Sequence, residues 1–218
     1  MTVTTGGTER TLWRGVIHRW AVIVFTPLFV LLIALTTSTG DRIAAVIYAV
    51  GVLGMLGVSA TYHSGRLGPD GTRRIKRLDH ATILLAIAGS YTAVATIGLS
   101  GEPARRLLVL VWILTPIAVA IRMLWLHAPY PVIAVVYVVV GWVALVEIGA
   151  IVDALTPLEL FGVIGGGVLY TAGSVVYALH KPNPKPGVFG YHEVFHAFVV
   201  GGVTLNYIAV LSLVLDTR

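Results

Sequence analysis

The chain has 218 residues, of which 57% are hydrophobic and only 11% charged, with a mean hydropathy of +0.89. Soluble domains carry about 25% charged residues, so this chain lacks the polar surface to stay in water, and a bilayer is the solvent to assume. The absence of cysteine excludes disulfides, thiolate nucleophiles and cysteine-held metals, and the net charge of +5 does not imply nucleic acid, because the basic residues lie scattered between apolar runs.

Residues 1–16 read as a short tail on the cytoplasmic side. Seven apolar segments follow, at about 17–37, 42–63, 79–99, 106–126, 131–152, 158–179 and 192–215, each near the ~20 residues needed to cross a hydrocarbon core. Seven crossings use roughly 140 positions and leave no room for a second domain. Unbroken hydrophobicity, with no period-2 alternation, predicts helices and excludes an outer-membrane barrel. The first run, Ala21 to Thr37, follows Arg10, Arg14 and Arg19 like the core of a signal peptide. It is longer than such a core and has no Ala-x-Ala site after it, so it is read as a retained helix. Turn formers mark the joints, at Gly40-Asp41, Gly68-Pro69-Asp70-Gly71, Gly101-Glu102-Pro103, Pro129-Tyr130-Pro131, Thr156-Pro157 and Pro182-Asn183-Pro184. Glycines within the spans, among them Gly51, Gly54, Gly57 and Gly165-Gly166-Gly167, allow helices to approach closely in lipid. The expected architecture is an all-α bundle of seven transmembrane helices.

Lysine and arginine set the expected orientation. The amino terminus and the second, fourth and sixth loops carry Arg10, Arg14, Arg19, Arg66, Arg73, Arg74, Lys76, Arg77, Arg122, Lys181 and Lys185, which is 11 of the 15 basic residues. The opposite side has Arg42, Arg105, Arg106 and Arg218. The positive-inside rule then puts the amino terminus in the cytoplasm and the carboxyl terminus outside. Short loops and an excess of arginine over lysine fit a multi-pass protein of a bacterial inner membrane.

Ionisable groups within spans are costly and are functional candidates by default. Ser59 and His63 stand four apart at the end of the second span, on one helix face. Arg77-Leu78-Asp79-His80 opens the third span, and His192-Glu193-Val194-Phe195-His196 opens the seventh. The second helix runs outside to inside, whereas the third and seventh run inside to outside. His63, Asp79 and His192 therefore fall in one layer, which an error of one in the helix count would not allow. Each residue also has a plain reading. His63 alone is an interfacial residue, Ser59 bonds its own helix, and Asp79 caps the third helix. Taken together at one depth, the histidines predict a shared metal site, and three imidazoles with an open fourth position suit a catalytic zinc ion. His80 points about 100° away from Asp79 around the helix and reads as a supporting or loop partner. His18 reads as an interfacial anchor, His127 and His180 as solvated loop residues, and Glu147 as snorkelling or paired between helices. Thr204, Asn206 and Tyr207 are expected to bond between helices.

Three stretches, Ser59 with His63, Leu78-Asp79-His80-Ala81 continuing to Ala88-Gly89-Ser90-Tyr91-Thr92, and Phe189 to His196, occur in an order that resembles the haemolysin III family. These are bacterial relatives of the progestin and adipoQ receptors, in a wider group that includes alkaline ceramidases. The similarity runs from His18 to Tyr207. It implies seven transmembrane helices and a Zn(2+) ion held by three histidines, here His63, His192 and His196. Ser59 and Asp79 complete such a site, with Asp79 holding the metal's water. Two positions depart from the pattern: Ala93 stands where a proline is expected, and Asn206 where some relatives carry a further polar or histidine residue. Neither belongs to the ligand set.

Three functions follow as expectations. The leading one is a zinc-dependent hydrolase of lipid amides or esters, with Asp79 orienting or deprotonating water, Ser59 supporting the oxyanion or Asp79, and an acyl chain reaching the site from the membrane. The second is a non-catalytic lipid-sensing, receptor-like or membrane-homeostasis protein with structural zinc. The third takes His192-Glu193-x-x-His196 as a zinc-protease motif with Glu193 as general base, although no span follows the seventh helix to supply a later ligand. Nothing in the spans reads as a pore, since they carry no ring of charge or polar stripe.

Overall fold

A computed structural model of the chain describes residues 11–64, 67–125 and 128–216. His127 lies outside them. Among the described residues all regular structure is helical, apart from one isolated bridge between Lys185 and Phe189. The helices are α1 (Val16–Leu35), α2 (Thr39–Tyr62), α3 (Pro69–Ala93), α4 (Gly101–Leu124), α5 (Tyr130–Gly141), α6 (Ile148–Ala154), α7 (Pro157–Leu179) and α8 (Tyr191–Asp216). With α5 and α6 forming one crossing, seven segments are long and apolar enough to span a membrane.

Local chemistry explains where these helices start. Ser38 caps α2 by accepting the Asp41 N–H at 3.0 Å. At α7 the Thr156 hydroxyl accepts from the Glu159 N–H, the Glu159 carboxylate accepts from the Thr156 N–H at 2.8 Å, and Pro157 occupies the first turn. Helix α3 begins at Pro69, ten residues before the apolar run at 79. A proline in its first turn and Asp70 beside the positive helix end make the charged stretch helical too.

The fifth crossing is broken, which the sequence did not foreshadow. Helix α5 stops at Gly141, a tight single turn covers Val143–Glu147, and α6 resumes at Ile148. Backbone freed at membrane depth must find a partner inside the protein, and Tyr91 of α3 supplies it. Its hydroxyl donates to the Gly141 carbonyl and accepts from the Ala144 N–H at 3.1 Å. Trp142 is tied to Thr171 at 2.8 Å, and Glu147, buried at the end of the turn, pairs with Arg106 of α4 at 2.9 Å. Glu147 is thus paired between helices. Opposite the break, α3 itself ends in a wide turn over Val94–Gly98.

The seven crossings close a ring in the order α1, α2, α3, α4, α5, α7, α8 and back to α1. Short connectors make consecutive crossings alternate in direction. The start of α1, the end of α2, the start of α3, the end of α4 and the start of α8 therefore share one end, called here the basic end. On the far side of α1, Phe29 meets Tyr48 and Tyr207 edge-on at ring-centre distances of 5.0 and 5.4 Å. Tyr207 donates to the Leu28 carbonyl of α1 at 2.7 Å, and Asn206 reaches the Tyr170 hydroxyl of α7 at 3.4 Å. Thr204 differs from expectation. It is exposed and bonds the Val200 carbonyl of its own helix at 2.9 Å, as a hydroxyl facing lipid must.

Helices α2 and α3 touch backbone to backbone. A Cβ on Gly51 would lie 2.8 Å from the Leu85 carbonyl oxygen, and one on Gly89 would lie 2.9 Å from that of Ile47. Gly54 has nothing within 4 Å of that position. Gly51→Ala is expected to cost about 1–3 kcal/mol through overpacking, read as a lower melting temperature in detergent, while Gly54→Ala leaves it unchanged.

Candidate metal centre

His63 caps the end of α2, its N–H bonded to the Ser59 carbonyl at 3.0 Å. His192 and His196 occupy the first turns of α8, which starts there because its end is well capped. The Glu193 carboxylate reaches back to the Gly190 N–H at 2.7 Å, and the Asn183 side-chain oxygen accepts from the Tyr191 N–H at 3.0 Å. His63 Nε2 and His192 Nε2 stand 3.0 Å apart, and one nitrogen from each of the three imidazoles falls within 4.8 Å of the others. Nitrogens around a tetrahedral zinc with bonds of about 2.0–2.1 Å stand roughly 3.3 Å apart. All three rings are buried, and among the described residues no carboxylate shares the cluster. Three neutral nitrogen donors of this spacing could hold one borderline-soft divalent ion. Nδ1 of His192 and of His196 has no protein partner; an orphaned buried nitrogen costs about 1–3 kcal/mol.

Asp79 of α3 and Ser59 of α2 are both buried. Both lie outside the imidazole cluster but line the same cavity of about 420 Å³ inside the ring. His80 is buried against Tyr137 of α5, whose hydroxyl lies 3.4 Å from the His80 Nδ1 and 3.3 Å from its carbonyl oxygen.

Three expected roles are corrected. Glu193 is fully buried, with one carboxylate oxygen on the Gly190 N–H and the other accepting from the Thr11 hydroxyl. One oxygen caps the start of α8 and the other ties it to the amino-terminal segment, so both are committed and a zinc-protease mechanism lacks its free base. Glu193→Gln is expected to lose a charge-assisted bond worth about 1.5–3 kcal/mol, seen as a lower melting temperature with metal content unchanged. His18 is not an interfacial anchor. It is 2% exposed, its ring stacks on His196 at 3.8 Å and 11°, and neither of its nitrogens has a partner. The signal that marks it is the buried stripe of α1, His18, Ala21, Phe25, Phe29 and Leu32, whose three- and four-residue steps belong to one helix face. His180 is likewise no free loop residue: it caps α7 in the left-handed region and packs on Tyr191 at 4.7 Å.

The amino-terminal segment covers this end of the bundle. Leu12 and Trp13 donate backbone bonds to Gly187 and Val188 at 3.2 and 3.3 Å. At Gly15 the backbone has φ 79°, and an added Cβ would lie 2.7 Å from the His63 Cβ, so only glycine lets the chain pass this close to the site.

Residues 8–207 match the family described as haemolysin-III related. The chain belongs to the haemolysin III family. Hemolysin-3 of Bacillus cereus is 26% identical over 220 residues, covering 100% of this chain and 97% of that protein. A Hemolysin-3 homolog of Bacillus subtilis is 26% identical over 201 residues, covering 90% of this chain and 91% of the relative. The haemolysin III resemblance seen in the motifs is therefore a property of nearly the whole chain. Of its two departures, Asn206 lines the cavity, and Ala93 is fully buried where α3 passes into its wide turn.

Proposed function

We propose that this haemolysin III protein is a zinc-dependent hydrolase of lipid amides or esters, set in a bacterial inner membrane with its basic end in the cytoplasm. The observation that carries the reading is the convergence of His63, His192 and His196 at one end of a cavity that Asp79 and Ser59 also line. The chemistry such an ion supplies when bound is Lewis-acid polarisation of a carbonyl and acidification of a water. The chain supplies the rest. The apolar wall of the cavity, with Met55, Ile83 and Leu107 among its residues, takes the acyl chain and excludes bulk water. Asp79 holds a water and takes its proton at a carboxylate oxygen. Ser59 fixes that carboxylate and orients it towards the cavity. Purified protein supplied with zinc is expected to cleave at least one member of a panel of ceramides and acyl esters. Absence of turnover with zinc bound overturns the hydrolase reading.

One observation favours a second reading, in which zinc is structural in a lipid-sensing or membrane-homeostasis protein. Helices α2 and α8 are not neighbours in the ring, so an ion held by His63, His192 and His196 ties them across α1 like a staple. His63→Ala separates the two: a staple predicts lost thermal stability with cellular function intact.

A further inference from the structure

His18 stands at the start of α1 and His196 in the first turns of α8, two helices that run in the same direction and pack side by side. Eleven residues further along each, Phe29 meets Tyr207 edge-on at 5.4 Å, and Tyr207 donates to the Leu28 carbonyl at 2.7 Å. Equal steps of eleven residues, about 16 Å of axis, hold the two helices in register at both points. That register delivers a ring that is 2% exposed and stacked on His196, with centres 3.8 Å apart and planes at 11°.

His18 has three ways to act on its neighbour, and two are closed. Among the described residues neither of its nitrogens has a hydrogen-bond partner, so it holds nothing through its edge. Those nitrogens also stand outside the group formed by His63, His192 and His196. A ligating nitrogen points its lone pair at the ion within the ring plane, and an ion in the plane of His196 lies out of the parallel plane of His18. The face remains. A metal-bound imidazole ordinarily donates its other N–H to a carboxylate or carbonyl, which fixes the ring, but the buried Nδ1 of His196 has no such partner. His63, His192 and Phe195 meet that ring at 58°, 62° and 55°, so the parallel contact that sets its plane is the one with His18. An aromatic face carries negative potential, and a ring that has given a lone pair to a cation turns more positive. The stack therefore strengthens as His196 takes up an ion.

We infer that His18 is a positioning residue of the proposed metal site, its ring face fixing the plane of His196 and raising the affinity for the ion without ligating it. This rests on the metal reading and not on hydrolysis, and the test measures zinc alone. Zinc affinity of the full-length protein in detergent is read by competition with a chromogenic chelator, and two variants separate the face from the nitrogens. His18→Phe keeps an aromatic face and loses both nitrogens, whereas His18→Gln keeps a nitrogen and loses the ring. Phenylalanine is expected to stay within about threefold of the wild type and glutamine to bind zinc about 10–100-fold more weakly, the range for groups that orient a ligand. X-ray absorption on the wild type is expected to show three imidazoles, with the same three in His18→Phe. Equal weakening in both variants, or weakening confined to phenylalanine, overturns the inference, because the nitrogens then matter. A fourth imidazole that disappears in His18→Phe makes His18 a ligand and overturns it as well. Should His18→Phe fail to fold, His18→Gln and the wild-type spectrum decide: undiminished affinity in the one, or four imidazoles in the other, overturns it. A wild type that binds no zinc overturns the inference together with the metal reading, whereas two variants that both match the wild type overturn the inference alone.

Discussion

Asp79→Asn is expected to lower hydrolysis of a lipid amide or ester by about 10²–10⁴-fold, the usual contribution of a positioned general base, with zinc content unchanged. The separation of the two effects follows from placement. Asp79 lies outside the cluster of three imidazoles, so the substitution leaves the ligand set intact. Asparagine keeps the volume and an acceptor oxygen, but it has no basic site for the proton of water. Turnover measured beside zinc content distinguishes the cases. Lost zinc would make Asp79 a ligand in fact, and unchanged turnover would remove it from the chemistry.

The double variant His192→Ala/His196→Ala is expected to abolish zinc retention. Changing groups that merely support a ligand costs about 10–100-fold in metal affinity, and removing two of three direct donors costs more than that. The backbone of α8 should survive, because its start is held by Glu193 on the Gly190 N–H and by Asn183 on the Tyr191 N–H, not by the imidazoles. Metal analysis of the purified variant, with circular dichroism as the control for helix content, checks both halves. Retention of a full equivalent of zinc would place the metal elsewhere.

The seven crossings were legible because each is a long apolar run, and lipid permits only a helix there. The His192/His196 pair was legible from its four-residue spacing, and its meeting with His63 from the direction of successive helices. Family membership was legible from three motifs and extends over residues 8–207. What escaped the sequence depends on partners far along the chain. Glu193 looks like a protease base beside two histidines, yet Thr11, 182 residues away, takes one of its oxygens. The break at Val143–Glu147 lies in a run as apolar as its surroundings and is stabilised by Tyr91, 50 residues from Gly141. His18 sits beside Arg19 and Trp20, which suggests an interface; only the packing of α1 on α8 shows that its ring belongs against His196. In a span apolar on every side, periodicity carries little about which face is inward, and the stripe from His18 to Leu32 emerges only once the neighbours are in place.

X-ray absorption at the zinc edge, on the wild type and on His63→Ala, bears most directly on the claim that the end of α2 and the start of α8 share one ion. The wild type is expected to hold one zinc per chain with three imidazole nitrogens at about 2.0–2.1 Å, and His63→Ala to show two imidazoles or no metal. A wild type that retains no metal, or a spectrum that the loss of His63 leaves unaltered, would contradict it.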